Sequence, residues 1–198
     1  TIHWDRLRFD RNNRNYRMLL YICYFIVREW LLTTENGNFK MQAFSDDHLC
    51  RLFEKFVLSY YKKHHPEFKP CAAQIGWNII EEASDTSVLP LMQTDILLTI
   101  GERTLIIDTK YYSKILQQQY RKDTIRNSHL YQIRTYVDEY DKEHRHNVDG
   151  MLLYAKTKND DFEDATIKHK DGYFLYIRTL DLNTDFESIK VRLESFVK

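Results

Sequence analysis

Two aspartates and a lysine in this sequence have the spacing of facing groups on a β-hairpin. Asp95 stands before one apolar run, Asp108 and Lys110 close the next, and the dipeptide Gly101-Glu102 separates the runs. A two-residue loop with glycine first is typical of a type II′ turn. Counting outwards from that turn places Asp95 directly opposite Asp108, with Lys110 on the same face. Carboxylates this close repel each other unless a cation lies between them. The pattern therefore predicts a divalent metal site, and magnesium, which binds through one or two carboxylates, suits it.

The apolar residues around these acids decide between a site and a pair of solvated carboxylates at a strand edge. They fall on both faces of the predicted hairpin, as in the middle of a sheet, which favours the site. One face holds Ile96, Leu98, Leu105 and Ile107, and the other holds Leu97 and Ile106.

Lys110 gives the predicted metal site a positive group beside it. An amine there can orient an attacking water, lower its pKa, or stabilise the charge that builds on a phosphate. In an isolated Asp-x-Lys tripeptide this lysine would be an ordinary strand-end residue. The aspartate before the turn favours the interpretation of this tripeptide as part of a site.

The elements around the hairpin predict a mixed α/β sandwich with a central sheet. Ser45 starts a helix that ends between Lys62 and His65, before Pro66, and a second helix starts at Asn127 or Ser128. We expect strands over 74–79, 148–154 and 173–179, a loop or weak helix over 113–127, and a last helix capped by Asn183 or Thr184.

Composition sets limits on the function. The chain has 198 residues, 43% of them hydrophobic, and a formal net charge of zero, so composition alone gives no case for a nucleic-acid partner. Three scattered cysteines read as reduced thiols of a cytoplasmic protein. The longest apolar run, 18–27, is too short to span a membrane, so it predicts a buried helix.

We expect residues 1–44 to be a helical segment that contacts a part of the protein preceding this sequence, and residues 45–198 to be one domain. The sequence has five glycines and no phosphate-binding loop, so it does not predict a nucleotide-hydrolysing domain.

Four segments together resemble McrC, the nuclease subunit family of McrBC modification-dependent restriction systems, within the PD-(D/E)XK nuclease superfamily. The likeness covers most of the chain, from about Tyr16 to its end. Pro90 stands somewhat upstream of the first aspartate rather than next to it. The segments are Leu52-Phe-Glu54-Lys-Phe-Val57, Met92-Gln-Thr-Asp95-Ile96, Asp108-Thr-Lys-Tyr-Tyr112 and Leu130-Tyr-Gln132-Ile-Arg-Thr-Tyr136.

The resemblance implies a restriction-endonuclease-like fold and a set of site residues. Asp95 and Asp108 would hold magnesium, with manganese as a possible substitute, and the carbonyl of Thr109 would add a ligand. Lys110 would serve the water. Glu54 corresponds to the acid that the first core helix offers to the metal or its waters. The residues alone favour a different interpretation, in which Glu54 is an exposed helix glutamate that pairs with Lys55 or Lys62.

Two further positions match a Gln-x-x-x-Tyr pattern of related nucleases, in which both groups lie beside the active site. Gln132 and Tyr136 share a helix face, so a plain hydrogen bond along the helix explains them equally well. The loop from Lys110 to Arg126 also carries positive charges, at Lys114, Arg121 and Lys122. These could grip DNA phosphates, and a solvated surface loop is the alternative.

The resemblance therefore implies a magnesium-dependent endonuclease that acts on modified double-stranded DNA with an McrB-type AAA+ GTPase as its partner. An assembly module that docks on and stimulates the motor is a second hypothesis, and a repair or junction nuclease of the same fold is a third. The sequence does not give the modification recognised, the cleavage position or the oligomeric state.

Overall fold

The computed structural model describes residues 46–80, 85–111, 117–119, 122–156 and 162–198, with only the backbone of residues 46, 117–119, 122 and 123. The chain divides into two units, Thr1–Ser45 and Asp46–Lys198, of which only the second contains described residues. The predicted N-terminal helical segment, 1–44, lies outside them and stays a prediction.

A five-stranded mixed sheet forms the centre of the described part. The strands of this sheet are β3 (Ile96–Ile100), β4 (Arg103–Lys110), β7 (Val148–Lys156), β8 (Ala165–Lys168) and β9 (Phe174–Asp181). Their order is β3-β4-β7-β9-β8, in which β4, β7 and β9 are parallel and the two edge strands are antiparallel to their neighbours.

Four short strands lie outside the central sheet. The pairs β1 with β2 and β5 with β6 are both antiparallel. They comprise β1 (Gln74–Ile75), β2 (Met92–Gln93), β5 (Gln117–Gln119) and β6 (Lys122–Thr124).

The hairpin of β3 and β4 has the predicted turn. Ile100 pairs with Arg103, and Gly101 has a φ of 61° while Glu102 stays at negative φ, as in a type II′ turn. Alternate residues of the hairpin enter two separate apolar clusters, one on each face of the sheet. The prediction of a hairpin buried on both sides is therefore confirmed.

Helices cover both faces of the sheet. On one face, α1 (Asp46–His64) and α3 (Phe186–Glu194) bury Phe53, Val57, Tyr60, Tyr61, Ile189 and Leu193. On the other face, α2 (Asn127–Tyr140) buries Ile133, Tyr136 and Val137 against β4 and β7. The close approach of α2 to β7 requires Gly150, because a Cβ there would lie 2.7 Å from Ile133 Cγ1. Single turns of 3₁₀ helix occur at Pro66–Phe68 and Thr86–Val88.

The structure differs from the predicted elements in four respects. The strand over 74–79 is only two residues long, and the polar stretch after residue 113 contains β5 and β6 rather than a loop or helix. The edge strand β8 was not predicted. Asp185 caps α3 instead of Asn183 or Thr184, since its side chain accepts a hydrogen bond from the Ser188 amide at 3.0 Å.

Candidate metal and nuclease site

Asp108 is the buried centre of the site. It lies near the C-terminal end of β4, is 1% exposed, and its Oδ2 is 2.6 Å from Lys110 Nζ. Apart from that ion pair, Oδ2 has no hydrogen-bond partner among the described residues. Burial raises the pKa of Asp108 to about 6; Lys110 opposes the increase, and the charges of Asp95 and Glu54 add to it. The carboxylate is therefore one that a further cation would stabilise.

Asp95 lies beside Asp108 but not as its partner in the β-ladder. The ladder between β3 and β4 ends at Ile96 and Ile107, and Asp95 occupies a bend before it. The register of the hairpin is the predicted one, from Ile100 with Arg103 to Ile96 with Ile107, but the ladder ends one pair before Asp95 and Asp108. At that point the Thr94 amide donates to the Ala73 carbonyl at 2.9 Å, next to β1.

Thr109 holds the Asp95 carboxylate in its observed place. Asp95 Oδ2 accepts hydrogen bonds from the Thr109 amide at 2.6 Å and from its hydroxyl at 2.7 Å. The amide and the carbonyl of one strand residue point to the same strand edge. The Thr109 carbonyl, the predicted third ligand, therefore faces the side on which Asp95 lies.

Lys110 connects the acids to α2. Its ammonium donates to Gln132 Oε1 at 2.9 Å, and Gln132 Nε2 donates to the Tyr136 hydroxyl at 3.0 Å. Burial raises the pKa of Tyr136, while the bond from Gln132 opposes the increase. The sequence left two interpretations of Gln132 and Tyr136 open, a hydrogen bond along the helix and a position beside the site. The structure contains both.

Glu54 approaches the same place from α1. One turn earlier on that helix, Cys50 Sγ donates to the Tyr111 carbonyl at 3.3 Å and fixes α1 against the end of β4. Burial raises the pKa of Glu54, and the charge of Asp95 raises it further, while Lys55 and Arg51 lower it. Glu54 is thus a half-buried acid within the electrostatic reach of Asp95.

These groups fit a magnesium ion better than a metal held mainly by side chains. Among the residues that the structure describes, no three His, Cys, Asp or Glu side chains are grouped closely enough to hold a metal ion. Magnesium is commonly bound by one or two carboxylates and completes its shell with water. Asp95, Asp108 and the Thr109 carbonyl offer such a set, with Glu54 near enough to support it.

The predicted DNA-binding side chains lie outside the described part of the chain. Lys114 and Arg121 lie outside the described residues, and Lys122 is described only as backbone in β6. Their role stays a prediction.

His129 is a site neighbour that the sequence did not reveal. It lies on α2, one turn before Gln132, is 6% exposed, and its Nδ1 is 2.8 Å from the Tyr154 hydroxyl. Tyr154 is the β7 neighbour of Lys110 in the parallel ladder. Burial, together with the charges of Lys110 and Arg126, lowers the pKa of His129 to about 4. A single histidine on the apolar face of a helix gives no signal in a sequence.

The described helices include none with the length and apolar character needed to cross a membrane.

A mixed sheet flanked by helices, with Asp95, Asp108 and Lys110 at one end of a hairpin, defines a restriction-endonuclease-like α/β fold of the PD-(D/E)XK type. The family model of the McrBC 5-methylcytosine restriction system component matches residues 2–155. The chain therefore belongs to the McrBC family, which confirms the resemblance seen in the sequence.

Two relatives agree with this assignment. The type IV methyl-directed restriction enzyme EcoKMcrBC of Escherichia coli strain K12 is 25% identical over 96% of this chain and 55% of its own length. A chain of the solved half-complex of Thermococcus gammatolerans McrB AAA+ hexamers with bound McrC is 16% identical. It superimposes with a TM-score of 0.55 over 98% of this chain and 41% of its own length. The chain thus spans about half the length of these relatives.

Proposed function

We propose that this chain is the magnesium-dependent endonuclease subunit of a modification-dependent restriction system and that it cleaves phosphodiester bonds of modified double-stranded DNA in the cytoplasm. The observation that carries the proposal is the convergence of Asp95, Asp108 and Lys110 with Gln132 and Tyr136 at one end of the sheet. A chain that served only for assembly would have no need of a buried acid paired with a lysine.

Each residue has a role that follows from its contacts. Asp95, Asp108 and the Thr109 carbonyl would hold the ion, and Glu54 would support it or its waters. When bound there, magnesium supplies a Lewis acid for the phosphate and lowers the pKa of a coordinated water. Lys110 orients the attacking water and offsets negative charge on the phosphate, while Gln132 fixes the direction of the Lys110 ammonium.

The partner proposed for this chain is a GTP-hydrolysing AAA+ subunit of the McrB type. The solved relative is a complex of McrB AAA+ hexamers with bound McrC, and the Escherichia coli relative is described as methyl-directed. These descriptions support an AAA+ partner and a methyl-directed activity, and we propose that the partner recognises the modified base and activates cleavage. By itself the chain is then expected to cleave weakly or not at all.

The test is cleavage of a methylated plasmid by the chain together with its AAA+ partner, GTP and magnesium. Asp108→Asn should abolish cleavage while GTP hydrolysis by the partner stays at the wild-type rate. The matched control is Glu187→Gln, which also removes one negative charge but at an exposed position of α3. It should cleave as the wild type does.

Other outcomes separate the competing roles. Unchanged cleavage by Asp108→Asn would contradict the proposal. Wild-type cleavage that is absent under all conditions, combined with GTP hydrolysis stimulated by the chain, would favour the assembly module. Cleavage of unmodified branched DNA without GTP would favour the repair or junction nuclease.

A further inference from the structure

His129 and Tyr154 form a hydrogen bond beside Lys110 to which the proposed cleavage mechanism gives no role. His129 Nδ1 lies 2.8 Å from the Tyr154 hydroxyl, and in either neutral tautomer of the ring one group donates to the other. Tyr154 is 0% exposed and His129 is 6% exposed, so water does not reach the bond. Breaking it is costly, because each group would lose a partner that solvent cannot replace.

The register of the sheet places this bond next to Lys110. Tyr154 is the partner of Lys110 in the parallel ladder between β4 and β7. Paired residues of a ladder carry their side chains on the same face of the sheet, and Tyr154 belongs to the apolar cluster that α2 covers. The charge of Lys110 is one of the causes that lower the pKa of His129, so the ring lies within electrostatic reach of the ammonium.

On α2, His129 stands one turn before Gln132, the residue that accepts from Lys110 Nζ at 2.9 Å. Residues three apart share a helix face. Further along the same helix, Ile133 packs closely over Gly150 of β7. That contact is apolar and therefore not directional, whereas a hydrogen bond fixes distance and angle. The bond from His129 to Tyr154 is thus a directional attachment of the first turn of α2 to the sheet.

The charge of His129 suits this place. Burial and the neighbouring cations keep its pKa at about 4, so the ring is neutral at neutral pH. A second cation beside Lys110 would repel its ammonium and compete with it for Asp108. A neutral imidazole supports the helix without doing either.

We propose that His129 and Tyr154 are positioning residues, which hold the first turn of α2 on β7 and so direct the Lys110 ammonium through Gln132. This role requires no contact with DNA or with the metal ion. The inference rests on the proposed function where it concerns cleavage, and on the described contacts alone where it concerns the position of Gln132.

The first test is kinetic and uses the chain with its AAA+ partner, GTP, magnesium and methylated plasmid. Tyr154→Phe removes the hydroxyl and keeps the ring. It should lower kcat by about 10-fold, the rate equivalent of one neutral hydrogen bond, with the KM for DNA unchanged. His129→Leu should have a similar effect. His129→Gln should recover part of the rate, because an amide can renew a bond to the hydroxyl.

The matched control is Tyr61→Phe. Tyr61 is also 0% exposed, and its hydroxyl donates to the Leu193 carbonyl at 3.0 Å, but it lies in the apolar cluster on the other face of the sheet. The control loses a comparable buried bond and should keep the wild-type kcat. All variants are assayed well below their melting temperatures, so that a loss of stability alone does not lower the rate.

A double-mutant cycle shows whether the pair acts through Gln132. Independent residues contribute additively, whereas residues that act through one another do not. In a Gln132→Leu background, Tyr154→Phe should therefore lower kcat no further. A further 10-fold loss in that background would contradict the proposed route.

The second test needs neither cleavage nor the partner. The side-chain amide resonances of Gln132 are identified in NMR spectra of the whole chain by their loss in Gln132→Leu. They should shift in Tyr154→Phe and in His129→Leu, because the first turn of α2 is released. They should stay in place in Tyr61→Phe.

The proposal is overturned by a wild-type kcat in Tyr154→Phe, by an equal loss of kcat in Tyr61→Phe, or by Gln132 resonances that Tyr154→Phe does not move. A wild-type assembly that does not cleave would instead contradict the proposed function. The Gln132 resonances would then decide by themselves whether His129 and Tyr154 hold α2 in place.

Discussion

Lys110 has two partners, and the balance between them sets the direction of its ammonium. Asp108 Oδ2 lies 2.6 Å away on the same strand, and Gln132 Oε1 lies 2.9 Å away on α2. Asp108 provides charge, whereas Gln132 provides direction without competing charge. The amide therefore acts through Lys110 and is a positioning residue rather than a metal ligand.

Gln132→Leu should reduce the cleavage rate of the assembled system by about 100-fold, a loss typical of a misplaced catalytic group. The KM for DNA should change little, since Gln132 is not proposed to contact the substrate. Tyr136→Phe should have a smaller effect, because the amide loses only an acceptor. Cleavage kinetics on methylated plasmid with the AAA+ partner give both values. Equal rates for Gln132→Leu and the wild type would remove Gln132 from the mechanism.

His129 predicts a loss of stability in mild acid. Its folded-state pKa is about 4, below the value near 6.5 of an unfolded histidine. Between these values the unfolded chain binds more protons than the folded chain, so stability decreases as the pH falls from about 6.5 to 4. The full effect is at most about 3 kcal/mol. Urea unfolding at a series of pH values should show this contribution as a difference in slope between the wild type and His129→Gln, because the raised pKa of Asp108 acts with the opposite sign in both.

His65 contributes to the pH dependence of stability with the opposite sign to His129. Burial lowers the pKa of His65, but its bonds to Glu194 and Glu67 outweigh burial and leave the pKa raised. Its contribution is complete below the unfolded pKa and is lost as the pH rises through the folded one. A slope in His129→Gln as steep as in the wild type would show that His129 is already charged in the folded protein.

At the scale of elements, the contact between α2 and β7 sets the position of the groups beside Lys110. A Cβ on Gly150 would lie 2.7 Å from Ile133 Cγ1, 2.8 Å from Leu175 Cδ2 and 3.1 Å from Val137 Cγ2. Since two of these atoms belong to α2, the helix can relieve the overlap only by moving outwards. That movement would carry Gln132 away from Lys110.

Gly150→Ala should lower the free energy of unfolding by about 1–3 kcal/mol, the usual cost of overpacking a core, and should also reduce cleavage. The matched control is Gly76→Ala, whose added Cβ would meet only Lys142 Nζ, at an ordinary 3.7 Å. Chemical denaturation and the cleavage assay on both variants check the prediction. Equal stability of the two variants would mean that the contact between α2 and β7 adapts without strain.

The sequence predicted those elements whose own pattern decides their structure. Helix α1, the β3–β4 hairpin and α2 carry clear periodicity and turn signals, and the structure has all three. The strands β5 and β8 gave no such signal, because Gln117–Gln119 has no alternation and three of the four residues of β8 are exposed. Pairing with a neighbouring strand, which no local pattern records, decides their conformation.

The site could be predicted to the same extent. The spacing of Asp95, Asp108 and Lys110 predicts that they lie close together, and the structure brings them together. The end of the ladder just before Asp95 could not be read from the hairpin, because the Thr94 amide bonds to Ala73, in a segment outside it. His129 was missed because its burial and its contact with Tyr154 come from the fold and not from its sequence context.

At the scale of the molecule, Glu194 joins the first and last described helices. Its Oε1 accepts a hydrogen bond from the Tyr60 hydroxyl at 2.6 Å and lies 2.8 Å from His65 Nε2. Nearby, the Tyr61 hydroxyl donates to the Leu193 carbonyl at 3.0 Å. These bonds fix α3 to α1 on the face of the sheet that Glu54 approaches.

Glu194→Ala should lower the free energy of unfolding by about 1–3 kcal/mol, because it leaves Tyr60 and His65 without their shared acceptor. Glu187→Ala on the same helix should stay within about 0.5 kcal/mol of the wild type, since it is exposed. Urea unfolding at neutral pH measures both. A melting transition of Glu194→Ala that coincides with that of Glu187→Ala would show that apolar packing alone holds the two helices together.

The bend at Asp95 has a consequence for control of the site from a distance. Only Thr94 and Asp95 separate the last residue of β2 from the first of β3, and they bond in opposite directions, Thr94 to Ala73 and Asp95 to Thr109. A tilt of the small β1–β2 ribbon would therefore reach a prospective metal ligand through two residues of backbone. If the proposed function holds, the ribbon would give the AAA+ partner a short mechanical route to the candidate metal site.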